Sequence, residues 1–346
     1  MKNDKVGKIG GEFEINPNVL SNYGSYKLEK NVFLYSSGTS ALMAILNHIK
    51  KDKKSVVHLP YYICHSVVNS CKVAGFKVNF YELTDNFYFP VDYIEMINTD
   101  EVLLVVNYFG FVDNNETIQK VKILRSDITI INDQVQSFWT YDQTEADYSF
   151  TSLRKHFAIP GGALIFCKKD VIPNDFTLND GVFLNDKAFG AILKHLKLPD
   201  KVYLKFLEAG ESSLMNCTEI SKASELVYYL FEMLDMNSSM ERRKENYHLV
   251  YEFGDLHGFD FLFPYNKNIT PMNVPIILKD RNSVRKKLMT KNVYLPVHWP
   301  IQEFNSTSKI AKRMSDNELS LVIDQRYSTY EIEYELETLL KVFNNG

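Results

Sequence analysis

The stretch Ser149-Phe150-Thr151-Ser152-Leu153-Arg154-Lys155-His156-Phe157 sets a lysine between an apolar strand candidate and a second one, Ile159-Pro160-Gly161-Gly162-Ala163-Leu164-Ile165-Phe166. The glycine pair lets the backbone turn tightly, so Lys155 is expected at an interior turn. A lysine that loses its solvation favours the neutral amine, which is a nucleophile. Such an amine most often serves to form a Schiff base with a carbonyl, and pyridoxal phosphate is the commonest cofactor that supplies one. The alternative is an ordinary solvated lysine in a surface loop.

Two upstream stretches bear on that choice. Ser36-Ser37-Gly38-Thr39-Ser40-Ala41-Leu42 follows a short strand candidate at 31–35 and opens a run of helix formers at 43–49. Small hydroxylated residues at a helix start leave amides and the positive dipole end pointing outward, which suits a phosphate, although serine and threonine are also ordinary N-caps. Asp133 closes the apolar run 128–133. An acid at the carboxyl end of a parallel strand is where such sheets place ligand groups, and against a pyridine nitrogen it would keep that nitrogen protonated; the alternative is again an N-cap. Gln136, three residues on, is placed to hydrogen-bond a ring hydroxyl.

These residues need a layered scaffold. Strand candidates at 55–60, 77–81, 101–107 and 128–133 alternate with helix candidates at 63–73, 91–97 and 118–124, which argues an α/β domain with a mainly parallel sheet. The stretch 170–201, rich in Asn, Asp and Phe, reads as irregular, either an active-site loop or a surface excursion. Apolar residues at three-to-four spacing from 219 to about 253 predict one long helix joining this domain to a smaller α+β one. In the latter, strands at 273–278 and 293–295 flank a helix at 282–289, and a helix at 329–343 closes the chain. The expected division is an N-terminal segment at 1–30, a large domain at 31–240 and a small domain at 241–346.

The 346 residues and net charge of -4, with lysine and arginine scattered, suit two domains and imply no basic face for nucleic acid. No window approaches the roughly 18 apolar residues of a membrane span, and Met1-Lys2-Asn3-Asp4-Lys5 leads into no apolar signal segment, so a cytoplasmic protein is expected. Cys64, Cys71, Cys167 and Cys217 form no C-x-x-C pair, so no metal site or disulfide framework is expected.

Six features stand in an order that resembles the DegT/StrS sugar aminotransferases. They are Ser37-Gly38-Thr39-Ser40-Ala41-Leu42, the Asn107-Tyr108-Phe109-Gly110 turn, the Asp133 to Gln136 spacing, the serine-rich strand end before Lys155, Gly161-Gly162-Ala163-Leu164, and Pro296-Val297-His298-Trp299-Pro300. The resemblance implies the aspartate-aminotransferase-like fold (fold type I) of pyridoxal-phosphate enzymes, with Lys155 forming the Schiff base to the cofactor. By the same resemblance Asp133 pairs with the pyridinium, Gln136 touches the ring oxygen, and Gly38, Thr39, Ser40 and a serine near the lysine hold the phosphate. It implies a homodimer that takes an amino group from a donor such as glutamate and passes it to a nucleotide-linked keto-sugar, in surface polysaccharide or glycan biosynthesis. Other readings are a transaminase for another carbonyl substrate, such as a small phosphorylated ketone, and a catalytically idle relative.

The chain departs from the family pattern at several positions. Phe150 stands where the phosphate-contacting serine is expected, with Ser149 and Ser152 on either side, of which Ser152 is preferred. The count from Pro60 to the residue that stacks on the cofactor ring lands on Cys64, so either Tyr61 or Tyr62 supplies the ring by a local shift or a thiol packs there. Asn107 replaces the family's histidine, and the Asn-Tyr-Arg stretch of the neighbouring subunit is not recognisable at 214–219. His298 borders the substrate pocket by the resemblance but is structural by default. Arg326 is placed either to receive a substrate carboxylate or phosphate or to pair with Asp324.

Overall fold

A computed structural model describes residues 6–16, 32–50, 55–140, 142–168 and 182–344. The expected segment 1–30 and the first part of the 170–201 stretch lie largely outside these residues. The chain folds as two compact units, one of Glu12–Tyr108 and Val112–Leu234, the other of Met1–Gly11, Phe109–Phe111 and Asp235–Gly346.

The chain's first strand, β1 (Ile9–Gly10), belongs to the smaller unit. In the larger unit β2 (Val32–Tyr35) leads into α1 (Gly38–Lys50), β3 (Val56–Pro60) into α2 (His65–Val73), and β4 (Lys77–Tyr81) into a 3-10 turn. β5 (Glu101–Val106), α3 (Asn115–Leu124), β6 (Thr129–Asp133), β7 (Tyr148–Phe150) and β8 (Ala163–Cys167) complete one seven-stranded sheet of order β2-β8-β7-β6-β5-β3-β4. Only β8 runs against its neighbours. Strand β5 is buried along its whole length, as a central strand covered on both faces must be. Each fully buried aliphatic side chain there contributes about 1.5–3 kcal/mol.

Because β2, β3, β5, β6 and β7 point the same way, the residues that follow them emerge at one edge of the sheet. Positions 36–39, 61–64, 107–108, 133–136 and 151–155 are thereby brought to a common edge from stretches scattered along the sequence. The return to β8 is made by Gly161 and Gly162. A Cβ on Gly161 would lie 2.3 Å from Leu184 Cδ2 and 2.7 Å from the Ser36 carbonyl oxygen. Gly162 has φ +89°, donates its N–H to the Ser36 carbonyl at 2.6 Å and accepts from Leu153 N–H at 2.9 Å, so the turn that carries Lys155 is pinned to the end of β2.

Two expectations fail here. The stretch 182–201 is not irregular but enters a helical hairpin of α4 (Val182–His195) and α5 (Asp200–Met215). Its helices approach closely through glycines: a Cβ on Gly190 would stand 2.8 Å from Leu207 Cδ2, and one on Gly210 would stand 2.8 Å from Lys187 Cγ. Glycines of that kind weaken a helical signal in sequence while permitting the packing. The long helix from 219 is instead two, α6 (Glu225–Glu232) and α7 (Met236–His257). The Asp235 carboxylate accepts from Ser238 N–H at 2.9 Å and caps α7, which restarts the helix rather than continuing it.

In the smaller unit β9 (Val274–Ile277), α8 (Arg281–Met289), β10 (Val293–Tyr294), α9 (Lys309–Asn317), β11 (Glu318–Leu321) and α10 (Thr329–Asn344) follow α7. β1 pairs in parallel with β10 and β9 antiparallel with β11. Val250, Ile276, Leu321, Ile332 and Leu336 lie in its core. Among the described residues no helix is long and apolar enough to cross a membrane.

Gly162→Ala adds a Cβ 2.8 Å from Leu153 Cδ1 and 2.9 Å from Val227 Cγ1 at a positive φ. It is expected to cost about 3 kcal/mol in denaturant unfolding. Gly258→Ala, at φ +71° with nothing within 4 Å, should cost only about 1 kcal/mol. Equal losses at the two positions would contradict the close packing at Gly162.

Candidate active site

At the common edge, helix α1 begins under the control of Ser37, whose Oγ accepts from Ser40 N–H at 3.1 Å. The Gly38 and Thr39 amides stand in the first turn, where helix geometry gives them no partner inside the helix. A Cβ on Gly38 would lie 3.7 Å from Ser152 Cβ and 3.9 Å from Val135 Cγ2. The helix start, the turn after Asp133 and the approach to Lys155 therefore meet at Gly38. Ser40 does not join them: its hydroxyl is buried and accepts from Ser36 Oγ at 3.0 Å, with Ser221 Oγ 3.4 Å away. The hydroxyl set expected for the phosphate is thus divided, with Ser40 turned into the fold.

Strand register decides between the two serines before the lysine. Asp133 stands opposite Val106 and Phe150, whereas Ser149 stands opposite Asn132. Side chains alternate along a strand, so Ser149 points to the face away from Asp133. Ser152 is extended, with φ -140° and ψ 116°, and is the serine that reaches Gly38.

Asp133 is 6% exposed. Its Oδ1 accepts from Val135 N–H at 2.9 Å, and among the described residues no cation lies within 4 Å of it. Burial pushes its carboxyl up to about 6, against the pull of the Val135 amide and the Lys155 charge. Gln136 is buried in the turn that follows.

Lys155 ends a 3-10 turn, Leu153–Lys155, and is half-buried rather than sealed between strands. Among the described residues its ammonium has no hydrogen bond or ion pair. Its turn is held on both sides: Leu153 N–H donates to the Gly162 carbonyl, and His156 Nε2 donates to the Val135 carbonyl at 2.9 Å. His156 ties the lysine turn to the Asp133 turn, and nothing in its sequence spacing marks that role.

The ring expected to stack on a cofactor is not supplied by Tyr62. That side chain is 1% exposed, stacks on Tyr108 at 5.6 Å and meets Phe87 edge-on. Its place after β3 turns it into the core, where an aromatic side chain gains most from packing. Tyr61 stacks on Phe80 at 5.3 Å. Tyr61 and Cys64 are both half-buried; Cys64 stands at the N-cap position of α2, its Sγ 3.1 Å from Ser66 Oγ.

Asn107 is buried at the end of β5, its Oδ1 accepting from Asn114 N–H at 3.2 Å and from Asn114 Nδ2 at 3.0 Å. Parity places it on the face opposite Asp133, so it does not enter the group.

Two candidates lie in the smaller unit. His298 donates its backbone N–H to Glu318 Oε2 at 2.8 Å, with Nδ1 3.5 Å from Glu318 Oε1 and the ring edge-on to Phe109 at 5.2 Å. Arg326 makes a bidentate contact with Asp324, Nε to Oδ1 at 2.7 Å and NH2 to Oδ2 at 2.8 Å, and NH2 also reaches the Gly11 carbonyl. Of the two readings for Arg326, the structural pair is the one found, because an acid two residues away offers the fork a ready partner.

The structure is similar over 98% of its length to 99% of a Streptococcus pneumoniae protein described as a sugar aminotransferase, in its PLP form, with a TM-score of 0.71 and 14% identity. It is similar over 98% of its length to 100% of Helicobacter pylori PseC, an aminotransferase involved in the biosynthesis of pseudoaminic acid, with a TM-score of 0.67 and 14% identity. A DegT/DnrJ/EryC1/StrS aminotransferase from Brucella abortus matches 96% of this chain over 92% of its own, at a TM-score of 0.62 and 12% identity. No protein-family profile and no curated protein matches the sequence. The fold is therefore fold type I, the aspartate-aminotransferase-like α/β fold that the sequence resemblance implied.

A carboxyl whose folded pKa of about 6 exceeds the unfolded value of about 3.9 favours the folded state when protonated. Its contribution is full below pH 4 and lost as pH rises to 6. Asp133→Asn removes that loss, so the cofactor-free variant should be more stable than the parent by about 2–3 kcal/mol at pH 8 and little different at pH 4. Thermal unfolding of both across pH 4–8 measures this, and parallel curves would contradict the burial argument.

Proposed function

We propose that this chain is a pyridoxal-phosphate-dependent aminotransferase of the DegT/StrS type, which takes an amino group from a donor such as glutamate and passes it to a nucleotide-linked keto-sugar. The observation that carries the reading is the meeting at one sheet edge of a lysine amine and a buried carboxylate, neither with an ion-pair partner among the described residues, and a helix start lined by glycine. Each fits one part of pyridoxal phosphate. Among the described residues no cation stands within 4 Å of Asp133, and a protonated ring nitrogen would supply one. Gly38 leaves room where a side chain would crowd an approaching phosphate.

When bound, pyridoxal phosphate supplies an electron sink for the carbon that loses a proton and carries the amino group between donor and acceptor. Lys155 fastens the cofactor and afterwards, as a free amine, moves the proton at the substrate carbon. Asp133 holds the ring nitrogen protonated, the Gly38 and Thr39 amides with Ser152 hold the phosphate, and Gln136 contacts the ring oxygen. By the same reading the Cys64 thiol, rather than an aromatic ring, covers the ring's face. A homodimer in the cytoplasm belongs to the same proposal, on the strength of the family resemblance.

The test is turnover of the cofactor-loaded protein. Glutamate should bleach the visible cofactor band with release of 2-oxoglutarate, and a nucleotide-linked keto-sugar should restore it. Lys155→Ala should lower both rates by at least about 100-fold. Restoration by small phosphorylated ketones alone would replace the acceptor, and a band that glutamate leaves untouched would make the chain a catalytically idle relative.

A further inference from the structure

Beside Lys155 the structure holds a relay of charges for which the proposed chemistry has no use. Arg154, the preceding residue, donates from NH2 to Glu211 Oε1 at 3.2 Å. Glu211 Oε2 lies 2.7 Å from Lys187 Nζ, and Lys187 Nζ lies 2.7 Å from Glu12 Oε1. The signs alternate along the relay and cancel. Its members come from four separate segments: the lysine turn, α5, α4 and the stretch that precedes β2. Lys194 adds a second hold on that stretch, through the Glu12 carbonyl and the Glu14 carboxylate at 3.2 Å.

The side chain of Lys187 is 2% exposed. An ammonium removed from water to that degree is held because two carboxylates face it, and breaking such a group by removing one member is strongly destabilising locally. Burial pushes the Glu211 carboxyl up, but Arg154, Lys187 and Lys155 outweigh it and hold the carboxyl below its usual value. Glu211 is therefore a charged anchor for Arg154. Since the Lys155 side chain has no hydrogen bond or ion pair among the described residues, its position depends on the turn beneath it, which is gripped by the His156 side chain at the Val135 carbonyl and by the Arg154 side chain at Glu211.

We propose that Glu211 and Lys187 are positioning residues for Lys155: the relay from Glu12 through Lys187 and Glu211 to Arg154 anchors the turn that carries the amine. This rests on the reading of Lys155 as the cofactor-bearing residue. A loss of this relay should misplace the amine without removing any group that touches cofactor or substrate.

The full chain and its Lys187→Met, Lys187→Arg and Glu211→Gln variants separate the possibilities. One measurement is the rate at which Lys155 captures pyridoxal phosphate, followed by the visible band. The other, made before cofactor is added, is amide hydrogen exchange over residues 153–157. Lys187→Met and Glu211→Gln should slow capture about tenfold or more and speed exchange in that turn, while Lys187→Arg stays near the parent. Glu211→Gln keeps a neutral acceptor in place and serves if Lys187→Met does not fold. Capture and exchange at parent values in both charge-removing variants would overturn the proposal. If the parent itself captures no cofactor, the functional reading fails, and exchange alone decides the positioning role by the same two outcomes.

Discussion

A carboxylate taken out of water and given a single amide hydrogen bond holds its charge poorly, and Asp133 is in that position because the central strands β5 and β7 flank β6 on either side. The cost is borne by the rest of the larger unit. A continuous apolar run such as Val102–Val106 of β5 provides the burial that offsets it. What the fold gains is an acid with no ion-pair partner among the described residues, fixed at the edge where the parallel strands end. That buried charge gives the site its chemical direction, since it favours a positively charged partner over any neutral group.

Close backbone packing does the rest of the positioning. Gly162 reaches the carbonyl of Ser36 at the end of β2 and holds Leu153 at the start of the lysine turn. His156 binds the same turn to Val135, two residues past Asp133. Gly38 then meets Ser152 and Val135. Lysine, acid and helix start are joined through main chain and small residues, which leave little freedom for one to move without the others. The ion pairs behind the turn act from the other side.

Much of this was legible in the sequence because it depends on local order. The ends of apolar runs marked Asp133 and the start of α1, and the glycine pair marked the turn after Lys155. Other features depend on parity or on distant partners. Ser149 and Ser152 are equivalent as residue types, and the register of β6 against β7 tells them apart. Tyr62 and Cys64 differ in which way the chain turns after β3, and only the aromatic cluster with Tyr108 shows that Tyr62 faces inward. Ser40 is drawn to Ser36 and Ser221, the latter 181 positions away. The α4–α5 hairpin was hidden by the very glycines that let its helices pack, and the pair of Arg326 with Asp324 was one of two open choices.

The measurement that tests the account most directly is mass analysis of peptides from the protein incubated with pyridoxal phosphate and reduced with borohydride. The account predicts one added cofactor mass, on the peptide that contains Lys155, and its loss when Asp133→Asn weakens cofactor binding. Cofactor mass spread over surface lysines, or none at Lys155, would contradict it.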